Sequence, residues 1–122
     1  MVCSNASNDQ ILKFLNDAKS LISKGQYTLI PRDKNMESLA RYGISIADAK
    51  ENILELDLSN YYKGPKEDFD KKRQGYIWEF KMNIKNVPFY IKLKIDTKQG
   101  QNILKILGFH EDEFANNGGL YD

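Results

Sequence analysis

The sequence predicts an α+β fold in which N-terminal helices pack on one face of an antiparallel sheet. Two observations carry this: apolar residues recur at helical spacing as far as Asp57, and from Tyr76 the period changes to two. Helices first and strands afterwards is the pattern of a helical layer laid over a sheet, because each amphipathic element must bury its apolar side against another.

The elements follow in chain order. Residues 8–23 place Ile11, Leu12, Leu15, Ala18, Leu21 and Ile22 on one helical stripe, with Ser7 or Asn8 as N-cap and Gly25 just past the end. Tyr27 to Ile30 is a short β-prone piece stopped by Pro31. Asp33 then caps a helix carrying Met36, Leu39 and Ala40 as far as Tyr42-Gly43. Ser45, with Asp48 three residues on, opens a third helix that repeats Ile46, Ala49, Ile53, Leu54 and Leu56 through to Asp57. Tyr61-Tyr62-Lys63-Gly64-Pro65 reads as a tight turn.

In the run 76–84, Trp78, Phe80, Met82 and Ile84 share one face and Glu79, Lys81 and Asn83 the other. In 87–95, Phe89, Ile91, Leu93 and Ile95 alternate with Tyr90, Lys92 and Lys94, and Lys85-Asn86 joins the two runs as a hairpin turn. The phase predicts Trp78, Phe80, Phe89, Ile91 and Leu93 buried, since a one-residue slip would bury Lys81 or Lys92 instead. Residues 102–109 alternate less cleanly, with Ile103, Leu107 and Phe109 set against Leu104 and Ile106, so both faces are partly apolar and the strand is expected to be central.

With 122 residues, 41% hydrophobic and 29% charged, the chain fits one globular domain over 1–122, with 1–8 and 114–122 expected to be flexible. No apolar run approaches the roughly 20 residues needed to cross a bilayer, and the start lacks the pattern of a signal peptide, so no membrane partner and a cytoplasmic location are expected. One Cys and one His make a zinc site improbable, so no metal and no cofactor are expected, and Cys3 has no partner for an internal disulfide.

The net charge of +1 conceals an uneven distribution. Residues 61–110 carry 11 Lys/Arg against 5 Asp/Glu, while 1–60 sum to −1 and 111–122 to −4. The open face of the sheet carries Tyr90, Lys92 and Lys94, and a cationic face with interleaved tyrosines suits RNA, because lysine and arginine attract phosphates and aromatic rings accept unstacked bases.

Cleaving RNA without a metal needs a group to take the 2′-hydroxyl proton, cations for the crowded phosphate, and an acid for the leaving 5′-oxygen. Lys92 and Lys94 lie two apart on one strand, roughly 7 Å at the backbone, close enough to straddle a phosphate. Lys63 sits in the turn beside Gly64-Pro65, and Arg73 follows the charged stretch 66–72 with a planar fork for phosphate. His110, at the end of a strand, is of the one type whose unperturbed pKa lies near neutrality.

Each residue also has a plain structural reading. Alternating lysines mark a solvated strand face, Tyr90 packs across strands, His110 caps or lies on the surface, and 66–73 is a charged loop. Spacing by itself supports a basic binding face and does not reach an enzyme.

The ordered set Arg41-Tyr42-Gly43-Ile44-Ser45, Asp48, Ile53-Leu54-Glu55-Leu56, Tyr61-Tyr62-Lys63-Gly64-Pro65, Trp78-Glu79-Phe80, Tyr90-Ile91-Lys92-Leu93-Lys94-Ile95 and Gly108-Phe109-His110-Glu111 resembles the MqsR-like toxins of bacterial type II toxin-antitoxin systems, within the RelE-like group. The resemblance covers roughly residues 11–114 and is one of pattern, without a motif as specific as a metal-ligand set. It implies a RelE-like arrangement and a metal-independent endoribonuclease, an mRNA interferase, silenced by a cognate antitoxin in a higher-order toxin–antitoxin complex. On that resemblance Lys63 after Tyr62, the strand Tyr90-Ile91-Lys92 and the cluster Phe109-His110 match family positions. Some relatives carry lysine near the place of His110, which leaves proton transfer open between Tyr90 and His110.

The resulting expectation is that Lys63, Arg73, Lys92 and Lys94 hold the scissile phosphate and that Tyr62 and Tyr90 stack or orient bases. In-line attack by the 2′-hydroxyl would leave a 2′,3′-cyclic phosphate and a 5′-hydroxyl. The rival readings are a non-enzymatic toxin that binds a protein target, such as a topoisomerase, through the same sheet, and a nucleic-acid-binding module whose basic face has no chemistry.

Overall fold

The structure, a computed structural model, describes residues 6–68 and 75–113. Ser7 closes a capping box with Gln10 and starts α1 (Asn8–Ser23), whose buried stripe is Ile11, Phe14, Leu15, Ala18, Leu21 and Ile22. The short strand β1 (Tyr27–Leu29) leads to α2 (Asp33–Tyr42), which ends on a left-handed Gly43. Arg32, not Asp33, occupies the N-cap of α2 and makes no side-chain cap bond, so Asp33 is the first helical residue and favours the helix through its charge at the positive end. Ser45 and Asp48 form the expected capping box of α3 (Ile46–Leu54). That helix stops before Asp57, because the Asp57 side chain accepts from Ser59 N and turns the chain into a 3-10 turn at Leu58–Asn60.

The expected tight turn at 61–65 is instead an edge strand, β2 (Tyr61–Glu67), antiparallel to β3 (Tyr76–Ile84). Its register shifts twice, between Tyr61 and Lys63 and again across Gly64-Pro65 between Lys63 and Lys66, without ending the strand, and an edge strand tolerates both of those residues. The strands β4 (Val87–Lys98) and β5 (Gln101–Glu111) complete a five-stranded sheet of order β1-β5-β4-β3-β2. It is antiparallel except where β1 runs parallel to β5. The β3–β4 turn has Lys85 at φ 53° and Asn86 at φ 65°, the left-handed pair that a two-residue hairpin requires.

One face of the sheet is the core. Phe14 of α1 stacks on Trp78 at 4.8 Å between ring centroids, and Trp78, Phe80, Phe89, Ile91 and Leu93 are all buried, as the period-two phase predicts. The irregular alternation of β5 comes from a bulge. Lys92 pairs with Gly108 and Leu93 with Ile106, so Leu107 is an extra residue. Ile106 and Phe109 therefore both point into the core, while Gly108 and His110 fall on the opposite face.

β5 has strand neighbours on both sides only where β1 reaches it, at Leu104 to Ile106. Beyond that, α2 supplies the missing ladder from its side chains. Asn35, fully buried, donates from Nδ2 to Leu107 O (3.1 Å) and Ile30 O (2.8 Å) and accepts from Phe109 N (2.8 Å), while Ser38 Oγ accepts from Glu111 N (3.0 Å). A carboxamide presents the same donor and acceptor pair as a peptide unit, so α2 covers the strand edge that would otherwise carry unpaired backbone groups. No helix among the described residues is long and apolar enough to cross a membrane.

Candidate functional site

The pairing register lays out the face opposite the helices as cross-strand rows. Ile77, Lys94 and Lys105 form one row, Lys63, Glu79, Lys92 and Gly108 the next, and Lys81, Tyr90 and His110 the third. The last two rows floor a cleft of about 630 Å³, walled on one side by Tyr62 and on the other by Arg32 and Lys34 at the start of α2. Glycine at 108 keeps that floor open, because a Cβ there would stand 3.1 Å from Lys92 Cβ and 3.7 Å from His110 Nε2.

Glu79 is the buried carboxylate at the centre of this face, at 3% exposure. Lys66 is ion-paired to its Oε2 and the Tyr90 hydroxyl donates to it. Burial would raise its pKa, but the hydrogen bonds from Lys66 and Tyr90 and the charges of Lys66 and Lys92 outweigh that and hold it below the ordinary carboxylate value. Tyr90 moves the other way. Burial first, then its bond to Glu79 and the Glu79 charge, push the phenol far above its usual value, so at neutral pH Tyr90 is a fixed donor and a poor base.

His110 lies across from Tyr90 with 5.3 Å between ring centroids. Its Nδ1 is 2.9 Å from the Glu111 carbonyl oxygen. A carbonyl only accepts, so Nδ1 carries the proton, and in the neutral ring Nε2 keeps its lone pair on the Gly108 side, facing the cleft.

The cations of the face divide into paired and unpaired groups. Lys81 is 3.0 Å from Asp112 Oδ2 and Lys34 is 2.9 Å from Glu113 Oε1. Lys63 and Lys81 stand over the Tyr62 ring, 4.9 and 4.0 Å from its centroid. Lys92 has no carboxylate within ion-pair distance among the described residues, and burial, followed by the charge of Arg32, lowers its pKa.

Of the residues singled out from sequence, the cleft brings together Tyr62, Lys63, Tyr90, Lys92 and His110. The expectation that Lys94 stands open beside Lys92 is corrected. Lys94 shares that face, but it is 1% exposed, with its ammonium 2.7 Å from Asp68 Oδ2 and 3.2 Å from Asp96 Oδ1. Gly75 packs over it at φ 95°, where any Cβ would lie 2.6 Å from Ile95 O and 3.2 Å from Lys94 Cε. Arg73 lies outside the described residues, as do 114–122 and most of the N-terminal segment expected to be flexible.

Sequence reasoning missed Glu79, Arg32 and Asn35. The signal for Glu79 was present, a carboxylate that with Asp96 falls in phase with the polar face of a lysine-rich hairpin. Arg32 and Asn35 had none, because their role depends on where α2 meets β5. Comparison of the chain with protein-family models and with curated proteins finds no match.

Proposed function

We propose that the chain is a metal-independent endoribonuclease that cuts single-stranded RNA in this cleft. The observation that carries the reading is His110, whose Nδ1 bond to the Glu111 carbonyl leaves Nε2 as an acceptor beside Gly108 and Lys92. In the proposed step Nε2 takes the 2′-hydroxyl proton, the 2′-oxygen attacks phosphorus, and the bond to the 5′-oxygen breaks. Lys63 and Lys92 neutralise the phosphate, and Lys92, made a better acid by burial, returns a proton to the leaving oxygen. The products are a 2′,3′-cyclic phosphate and a 5′-hydroxyl, with no cofactor consumed. Tyr90, tied to Glu79, positions His110 and the flanking base and takes no proton.

The resemblance to MqsR-like toxins extends this reading to an mRNA interferase of RelE-like arrangement, acting in the bacterial cytoplasm and silenced by a cognate antitoxin in a higher-order complex. The runner-up is a binding module without chemistry. It is favoured by the bond that ties Tyr90 to Glu79, which withdraws one of the two proton-transfer candidates while leaving Lys63 and Lys92 as binding groups.

Incubating the purified chain with a defined RNA and identifying the new termini tests the proposal. His110→Gln should lower cleavage by at least about 100-fold while RNA still binds. Binding without any cleavage by the folded wild type would replace the nuclease with the binding module, and growth arrest without RNA cleavage would favour a toxin acting on a protein target.

A further inference from the structure

Three of the four carboxylates lining the cleft are matched to a lysine: Glu79 to Lys66, Asp112 to Lys81 and Glu113 to Lys34. The fourth, Asp33, lies in the first turn of α2, where the helix's positive end attracts it. After these pairings the surplus positive charge is concentrated on Lys63, on Lys92 in the floor and on Arg32 in the facing wall. Arg32 has no carboxylate within ion-pair distance among the described residues. It stands at the N-cap of α2, whose partial positive charge adds to its own. Asn35 fixes that end of the helix to β5 through two hydrogen bonds, to Leu107 O and from Phe109 N, and holds Ile30 O with a third, so the backbone carrying Arg32 is anchored beside the strand that carries Gly108 and His110.

We infer that Arg32 and Lys92 bracket one anion between the α2 wall and the sheet floor, and that this anion is the reacting phosphodiester phosphate. Two unpaired cations facing each other across a partly desolvated cleft repel, and the Arg32 charge already disfavours the protonated form of Lys92. A phosphate between them turns that repulsion into two attractions. The guanidinium presents a planar fork that binds two phosphate oxygens at once, a geometry an ammonium does not offer. The assignment of a phosphate to the reaction rests on the nuclease reading, whereas the anion site itself does not.

Inorganic phosphate is therefore the probe, titrated at constant ionic strength while the amide resonances of Gly108 and His110 are followed by NMR. Wild type should bind phosphate at these amides. Arg32→Gln should weaken binding about tenfold, a loss of about 1.4 kcal/mol, and Arg32→Lys should recover only part of it. Lys105→Gln, which removes one charge from the same sheet face outside the cleft, should leave binding unchanged. Absence of phosphate-induced shifts, or equal losses in Arg32→Gln and Lys105→Gln, would overturn the site. A 2′-deoxy dinucleotide, which cannot be cut by 2′-hydroxyl attack, should show the same dependence on Arg32, and indifference to Arg32 there would remove the phosphodiester assignment. Neither measurement involves turnover, so lack of RNA cleavage would refute the nuclease and leave this site standing, and normal cleavage by Arg32→Gln with unchanged phosphate binding would do the reverse.

Discussion

Lys94 Nζ lies 2.7 Å from Asp68 Oδ2, and this contact joins the chain leaving β2 to the middle of β4 on the face away from the helices. With Asp96 on its other side, the ammonium is enclosed between two carboxylates at 1% exposure. Removing the ammonium takes a buried countercharge away from both carboxylates at once. Lys94→Met should therefore destabilise the fold by about 3 kcal/mol, at the lower end for such sites because Asp68 and Asp96 keep some contact with solvent. Urea denaturation measures this, and RNA cleavage per folded molecule should stay at the wild-type level. A variant as stable as wild type but unable to cut would return Lys94 to the site.

Asn35→Asp tests the side-chain ladder along β5. The carboxylate can still accept from Phe109 N, but it can no longer donate to Leu107 O and Ile30 O, and it places a charge against two carbonyl oxygens at a fully buried position. A loss of at least about 3 kcal/mol is expected. Thermal denaturation would show it, and an unchanged midpoint would mean that α2 is not held to the strand by this residue.

Lys92→Met should do the opposite at neutral pH. The folded state lowers the pKa of Lys92, so it bears a cost for the charged form at every pH below that folded value, and the cost is relieved as pH rises through it towards the unfolded value. Methionine removes the cost and fills similar space. The expected result is a higher urea midpoint at pH 7, a narrowing of the difference in alkaline solution, and loss of RNA cleavage. A less stable variant at pH 7 would show that Lys92 is held by a partner and is not a strained site residue.

Tyr90→Phe addresses the acid limb. Glu79 has a folded pKa below its unfolded one, so the stability it confers is present above the unfolded value and is lost as pH falls through the folded value. Deleting the Tyr90 hydroxyl removes one of the donors that hold Glu79 low. The variant should lose about 1 to 2 kcal/mol at pH 7, and its acid unfolding should begin at higher pH than in wild type. Coincident acid limbs for the two proteins would separate Tyr90 from Glu79.

The helix starts at Ser7 and Ser45, the left-handed Gly43, the Lys85-Asn86 turn and the burial phase of β3 and β4 were all legible, because each depends on residues a few positions apart. What depends on distant parts of the chain was not. The strand at Tyr61–Glu67 looked like a turn because Gly64 and Pro65 punctuate it, and only pairing with β3 shows that the interruption is local. The bulge at Leu107 appeared in sequence only as spoiled alternation. At the site, the side on which Lys92 and Lys94 project followed from period two, but the covering of Lys94 by Asp68 did not, since a two-residue repeat gives direction and says nothing about what lies above. Arg32 entered the cleft through the docking of α2, which sequence spacing does not report.

The extra residue at Leu107 has a consequence for how this chain can change length. Deleting Leu107 alone would restore strict alternation with Ile106 and Phe109 still on the core face and Gly108 and His110 still on the cleft face, so the facing survives the loss of this one residue. The stretch therefore tolerates the loss of its bulged residue, and the hairpin at Gln99-Gly100 can likewise absorb a change in length without altering any facing. Variants of this protein that keep both core and cleft should vary in length at that hairpin or at Leu107 itself, and keep Phe109 and His110 adjacent.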